Sequence, residues 1–161
     1  MRKIKNPWLK KEGYNCFGCA PDNPIGLHME FFEEEDAVLS FWCPQDHYQG
    51  WVGTLHGGII STLIDETAGW VITRKLQTAG VTAQLHVNFC KPVSSSDPQL
   101  SIRAWITERK RNFITIKVIV KNAKEETCAE GEAVYFAMNE EKAREMGFTE
   151  CELENEEMFS F

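Results

Sequence analysis

Apolar and polar positions change rhythm several times along the chain, and each change marks an element. Over residues 59–76, Ile59, Ile60, Leu63, Ile64, Val71 and Ile72 recur at helical spacing with few polar positions among them. That pattern predicts a helix buried on most sides. Arg74 and Lys75 fall in its last turn, where cations complement the negative end of the helix dipole, and Gly80 is expected to close the connection. Upstream, residues 27–32 and 37–42 are two apolar runs separated by the acidic stretch 33–36, which predicts a hairpin of two strands. Residues 43–54 contain Pro44, Gly50 and Gly53 and read as a loop. Downstream come four β-rich runs, 82–89, 99–108, 113–121 and 127–138; Ile114-Thr115-Ile116-Lys117-Val118 alternates as a half-buried strand does. Residues 139–146 predict a short helix.

Two strands, one long buried helix and four more strands make an α+β arrangement. The expected architecture is a single domain over residues 1–161, its central helix wrapped by an antiparallel sheet of about six strands. Residues 1–24, rich in Gly, Pro and Asn, are expected to be irregular. Residues 139–161 are expected to form the short helix and an acidic tail. From residue 150 that tail is either mobile or docked through Leu153, Met158, Phe159 and Phe161.

Composition narrows the function classes. Of 161 residues, 43% are hydrophobic and 25% charged, enough for a core without staples. The net charge of −7 sets the chain against free nucleic acid, whose phosphates would be repelled. There is no apolar run of about 18 residues to cross a membrane, and the basic start Met1-Arg2-Lys3 lacks the apolar stretch of a secretory signal. Cys16, Cys19, Cys43, Cys90, Cys128 and Cys151 are irregularly spaced, which implies free thiols and a cytoplasmic location rather than a disulfide framework.

The candidate chemistry lies at the start of the long helix, in His56-Gly57-Gly58 followed by Asp65. Cleaving an acyl thioester requires a group that stabilises negative charge on the carbonyl oxygen and a carboxylate or water to attack. The leading N–H groups of a helix are unpaired and sit at its positive end, and glycine lets a ligand approach them. Asp65 supplies the carboxylate. Seven residues of helix put Gly58 and Asp65 on one face but roughly 10 Å apart, too far for one carbonyl to touch both. Either the substrate spans the gap or two copies of the chain share each site, and the second is favoured. Ser61, Thr62, Ala68 and Gly69 surround Asp65 with small side chains, so a ligand or a neighbouring element comes close there. His56 either holds the carbonyl or caps the helix. Glu66 is expected to point elsewhere, into a surface or interface ion pair.

His56-Gly57-Gly58-Ile59-Ile60-Ser61-Thr62-Leu63-Ile64-Asp65 resembles the helix-start motif of hotdog-fold acyl-CoA thioesterases of the phenylacetate-pathway, PaaI-like, group. Cys16-Phe17-Gly18-Cys19 with Asn23-Pro24-Ile25-Gly26-Leu27 resembles the N-terminal segment of one subgroup, and residues 82–89 followed by Lys91-Pro92 resemble its next strand. The resemblance implies an acyl-CoA substrate, Asp65 as nucleophile or general base, and Gly57 and Gly58 polarising the carbonyl. It also implies a homodimer, often a dimer of dimers, with sites shared between copies. It places Thr82 where some members position water, although strand propensity alone also accounts for a threonine. No cofactor is implied beyond the coenzyme A of the substrate.

Other features have plainer readings. Cys16-x-x-Cys19 has the spacing of half a zinc site or of a redox pair, yet His28 and His47 are not at finger-like spacing, so packed or solvent-facing thiols and no metal are expected. Cys90 and Cys128 are expected in the core. Arg109, Lys110 and Arg111 form a basic hairpin tip, either simply solvated or, with Lys91, a landing place for the phosphates of coenzyme A. The aromatic-rich loop 42–51 either lines an acyl pocket or belongs to the core. Two other functions are compatible with the pattern. A non-catalytic acyl-CoA-binding module would not need Asp65, and a hydratase would need a His–carboxylate motif absent here.

Overall fold

The computed structural model describes residues 1–157. Its centre is the helix α1 (Gly57–Lys75), whose Ile60, Leu63, Ile64, Thr67, Ala68, Val71 and Ile72 are buried. They pack on the inward face of one sheet, built from β1 (Arg2–Ile4), β2 (Phe31–Glu34), β3 (Ala37–Trp42), β4 (Gly80–Phe89), β5 (Leu100–Lys110), β6 (Phe113–Lys121), β7 (Thr127–Ala137) and β8 (Leu153–Glu157). The spatial order is β4-β7-β6-β5-β3-β2-β1-β8, antiparallel throughout. Alternation is cleanest on β6, where Ile114, Ile116, Val118 and Val120 are fully buried against α1 while their neighbours face outward. Burying each such side chain contributes about 1.5–3 kcal/mol. Gly131 on β7 is needed for this approach, since a Cβ there would stand 2.4 Å from Ile64 Cγ2.

Among the described residues the sheet has eight strands rather than six. The two additions are the chain's ends: Arg2–Ile4 lies between β2 and β8 within the segment expected to be irregular, and Leu153–Glu157 pairs with it. The acidic tail is therefore a strand as far as residue 157; the docking expected of Met158, Phe159 and Phe161 lies outside the described residues. Strands of three and five residues carry too little periodicity to stand out in sequence.

α1 ends at Lys75 with Leu76 as its cap, and Gly80, which closes the connection, is the first residue of β4. Between them Gln77 lies in the left-handed region at φ 53°. The Gln77 amide donates to Arg74 O (2.9 Å) and Cys151 O (3.0 Å) and its oxygen accepts from Cys151 N–H (3.0 Å), bonds that hold a conformation disfavoured for a side chain with a Cβ. Arg74 and Lys75 both reach Glu33 on β2, at 2.9 and 2.8 Å, so the cations at the helix end also pin it to the sheet. The short helix α2 (Glu140–Glu145) is capped by Asn139, whose side chain accepts from Lys142 N–H. The segment before β2 folds over one end of α1, with Leu27 and Met29 buried and Phe31 stacked on Trp70 at 4.6 Å. Among the described residues no helix is long and apolar enough to cross a membrane.

Candidate active site

His56 caps α1: its ring Nδ1 accepts from Gly58 N–H at 2.8 Å. Ile59 and Ile60 N–H both donate to His56 O, at 3.0 and 3.2 Å. Of the first-turn donors only Gly57 N–H has no acceptor among the described residues. Two free glycine donors were expected, and the cap occupies one of them. Of the two readings of His56, the structure shows the helix cap. The ring of Phe89 lies beside Gly57, 3.5 Å from where a Cβ would stand. A cavity of about 800 Å³ opens here, walled by Trp51, Leu55, His56, Gly57, Phe89 and Lys91. From the aromatic-rich loop, Trp51 is exposed and lines this cavity, while Trp42 is buried and donates its indole N–H to Leu27 O.

Asp65 is organised by two strands. Thr82 Oγ1 donates to Asp65 Oδ1 at 2.8 Å. The Tyr135 hydroxyl lies 2.7 Å from the same Oδ1 and 2.7 Å from Asp65 O. Thr82 and Tyr135 are partners in the β4–β7 pair, and the register shifts between Thr82 and Gln84, a bulge of the kind that re-aims side chains beside a site. Burial and then the charge of Asp65 push the Tyr135 hydroxyl far above its ordinary value, so it remains a donor. No donor among the described residues reaches Oδ2, which is left to accept from a ligand or water. Gly69 makes room for this arrangement: a Cβ on it would stand 3.2 Å from the Tyr135 hydroxyl. The small-residue face noted around Asp65 thus receives a tyrosine. Sequence reasoning did not single out Tyr135; the available signal was one large polar residue among the inward-facing alanines of β7.

Asp65 belongs to a second cavity, of about 410 Å³, walled by Trp8, Tyr14, Cys16, Trp70 and Tyr135. Gly57 and Asp65 are eight residues apart on α1, about 12 Å along its axis, and open into different cavities. β4 runs past both, with Thr82 at the Asp65 end and Phe89 at the Gly57 end. It is an edge strand of the sheet, and Val81, Leu85 and Phe89 are all exposed on it, at 45%, 38% and 56%.

The basic residues separate. Lys91 lines the Gly57 cavity and pairs with Glu126 at 2.7 Å. Arg109, Lys110 and Arg111 are exposed at the β5–β6 hairpin and line neither cavity. Phe113 of that hairpin is in register with Phe136, which pairs with Val81, so the tip lies toward the Asp65 end of β4.

Glu66 departs from expectation. It is not in an ion pair among the described residues; it turns inward to Cys16 Sγ (3.4 Å) and the Trp70 indole N–H (3.2 Å). Cys16 is half-buried and Cys19 buried, while His28 and His47 are not part of the group. Cys128 is buried as expected, but Cys90 is exposed just beyond β4.

A helix laid on an antiparallel sheet with these connections recurs among known proteins. Residues 52–129 match the family model of the thioesterase superfamily. The fold is the hotdog fold. The hotdog domain superimposes on the crystal structure of a thioesterase superfamily protein with a TM-score of 0.69, at 22% identity over 75% of this chain. That overlap spans 62% of the other chain, less than two thirds of its length. A hypothetical thioesterase from Streptococcus pneumoniae, crystallised with coenzyme A, matches at TM-score 0.64 and 23% identity, covering 69% of this chain and 86% of that one. The Escherichia coli PaaI protein of the phenylacetic acid degradation operon matches at 0.64 and 15%, covering 70% and 81%. No curated protein sequence matches the chain.

Proposed function

We propose that the protein hydrolyses an acyl-CoA thioester to a free acid and coenzyme A, in a site completed by two copies of the chain. The observation that carries this reading is the division of the machinery between the two ends of β4. One end holds a free helix N–H, that of Gly57, suited to charge developing on a carbonyl oxygen. The other holds Asp65, with Oδ1 fixed by Thr82 and Tyr135 and Oδ2 open. Neither half is a site alone.

A two-fold pairing of β4 edges would join the halves. The strand is long, with no proline and no lysine along it, and its apolar side chains are exposed, features of an edge that another strand covers. Antiparallel pairing lays the Thr82 end of one copy beside the Phe89 end of the other. The Gly57 N–H of one copy then polarises the thioester carbonyl while Asp65 of the other delivers the nucleophile, either as general base through water or by direct attack. The same pairing brings Lys91 of one copy and the Arg109-Lys110-Arg111 tip of the other to one side of each shared site. Cations so arranged suit the phosphates of coenzyme A, the ligand of the pneumococcal thioesterase.

The test is thiol release from short, long and aryl acyl-CoAs. At least one class should be turned over, and Asp65→Asn should lose about 10²–10³-fold in kcat while remaining folded. Full activity in that variant would remove Asp65 from the reaction.

A further inference from the structure

The pair Cys16-x-x-Cys19 gains a third ligand that sequence spacing could not reveal. Cys16 Sγ, Cys19 Sγ and a Glu66 carboxylate oxygen all lie within 4.8 Å of one another. In a tetrahedral zinc site two sulfurs stand about 3.8 Å apart and a sulfur and an oxygen about 3.6 Å; Cys16 Sγ and Glu66 Oε1 are at 3.4 Å. We propose that Cys16, Cys19 and Glu66 bind one Zn²⁺, with a fourth position open to the cleft that also contains Asp65.

Three features of the surroundings suit a metal better than three protonated acids. Gly18 lets the carboxylate in, for a Cβ there would stand 2.5 Å from Glu66 Cδ. The groups beside the three ligands are otherwise donors: the Trp70 indole N–H reaches Glu66, and the Tyr14 hydroxyl, itself held by Asn6, lies 2.9 Å from Cys19 Sγ. At that distance Tyr14 is a hydrogen-bond partner of the thiolate rather than a fourth ligand, and such partners orient ligands and tune the ion. No lysine or arginine forms an ion pair with Glu66 among the described residues, so the cluster's negative charge has no other counterion at hand. Two thiolates and a carboxylate select zinc over harder divalent ions.

Bound there, Zn²⁺ would staple residues 14–19 to α1 one position from Asp65, fixing a wall of the Asp65 cavity. The assignment does not depend on the substrate or on the reaction. The chelator-treated full chain is titrated with Co²⁺ and then Zn²⁺. One Co²⁺ per chain should bind with a thiolate-to-cobalt charge-transfer band, and Zn²⁺ should displace it. Cys16→Ser and Cys19→Ser should each lose most of that band and bind Zn²⁺ at least 100-fold more weakly. Glu66→Gln should keep the band with at least tenfold weaker binding. On the wild-type chain, Zn²⁺ should protect Cys16 and Cys19 from alkylation while Cys43 and Cys90 stay reactive, a readout that needs no variant to fold. Absence of stoichiometric charge transfer, equal labelling with and without Zn²⁺, or a Cys16–Cys19 disulfide that takes up no metal after reduction would each overturn the site.

Discussion

The Tyr135 hydroxyl on β7 ties to Asp65 on α1 twice, lying 2.7 Å from its carboxylate Oδ1 and 2.7 Å from its carbonyl oxygen. One sheet residue thus fixes both the backbone and the side chain of the proposed catalytic carboxylate. Hydrogen bonds to charged groups are worth about 1.5–3 kcal/mol. Tyr135→Phe should lower kcat by about 10–100-fold with KM little changed, since Tyr135 positions Asp65 rather than binding substrate. Steady-state kinetics with a thermal melt as control separates this from unfolding; an unchanged kcat would leave the tie a purely structural one.

Removing the Gly57 N–H tests the other half. Gly57 is the first residue of α1, a position proline favours, and the preceding His56 is extended at ψ 134°, as a residue before proline must be. Gly57→Pro should therefore fold with an unchanged or slightly raised Tm and lose about 10²–10³-fold in kcat, the usual effect of deleting one oxyanion donor. Retained turnover would show that the carbonyl is held elsewhere.

If the halves come from different copies, two inactive variants should rescue each other. Asp65→Asn and Gly57→Pro chains, co-refolded in equal amounts, should regain roughly a quarter of wild-type activity, because half the dimers are mixed and each holds one intact site of two. Simple mixing without subunit exchange should regain none. Failure of the co-refolded sample would place both groups in one chain's site.

Glu33 predicts how stability depends on acid. Burial alone would raise its pKa, but hydrogen bonds from Arg74 and Lys75 and their charges outweigh that and hold the carboxyl below its ordinary value of 4.5. A carboxyl depressed on folding adds stability above its unfolded value, and that gain disappears as pH falls through the folded value. Glu33→Gln should destabilise by about 1–2 kcal/mol at pH 7, between the effects of exposed and fully buried pairs. The gap between variant and wild type in urea melts should close as the pH is lowered below 4.5.

Much of this was legible in the chain because it rests on local rules. The 3.6-residue spacing of α1 and the alternation of β6 each declare their buried face, and β6 begins and ends where the pattern does. The cap by His56 was one of the readings open at the helix start, whereas Thr82 was singled out only through the family resemblance. What sequence could not carry is contact between distant parts of the chain. Tyr135 meets Asp65 from 70 residues away and Glu66 meets Cys16 from 50. The end of α1 falls within a residue of where the apolar pattern runs out, but the left-handed Gln77 just beyond it, held by bonds to Cys151 far along the chain, has no mark in the sequence.

β1 joins β8 through a register that sets Ile4 against Leu153. About 150 residues of chain must be ordered before that pair can close, so its entropy is recovered only after the rest of the sheet exists. The two terminal strands are then expected to zip last and to peel first. The segment with Cys16 and Cys19 hangs from β1, so its attachment to α1 at Glu66 secures the part of the molecule that native-state fluctuations release most readily.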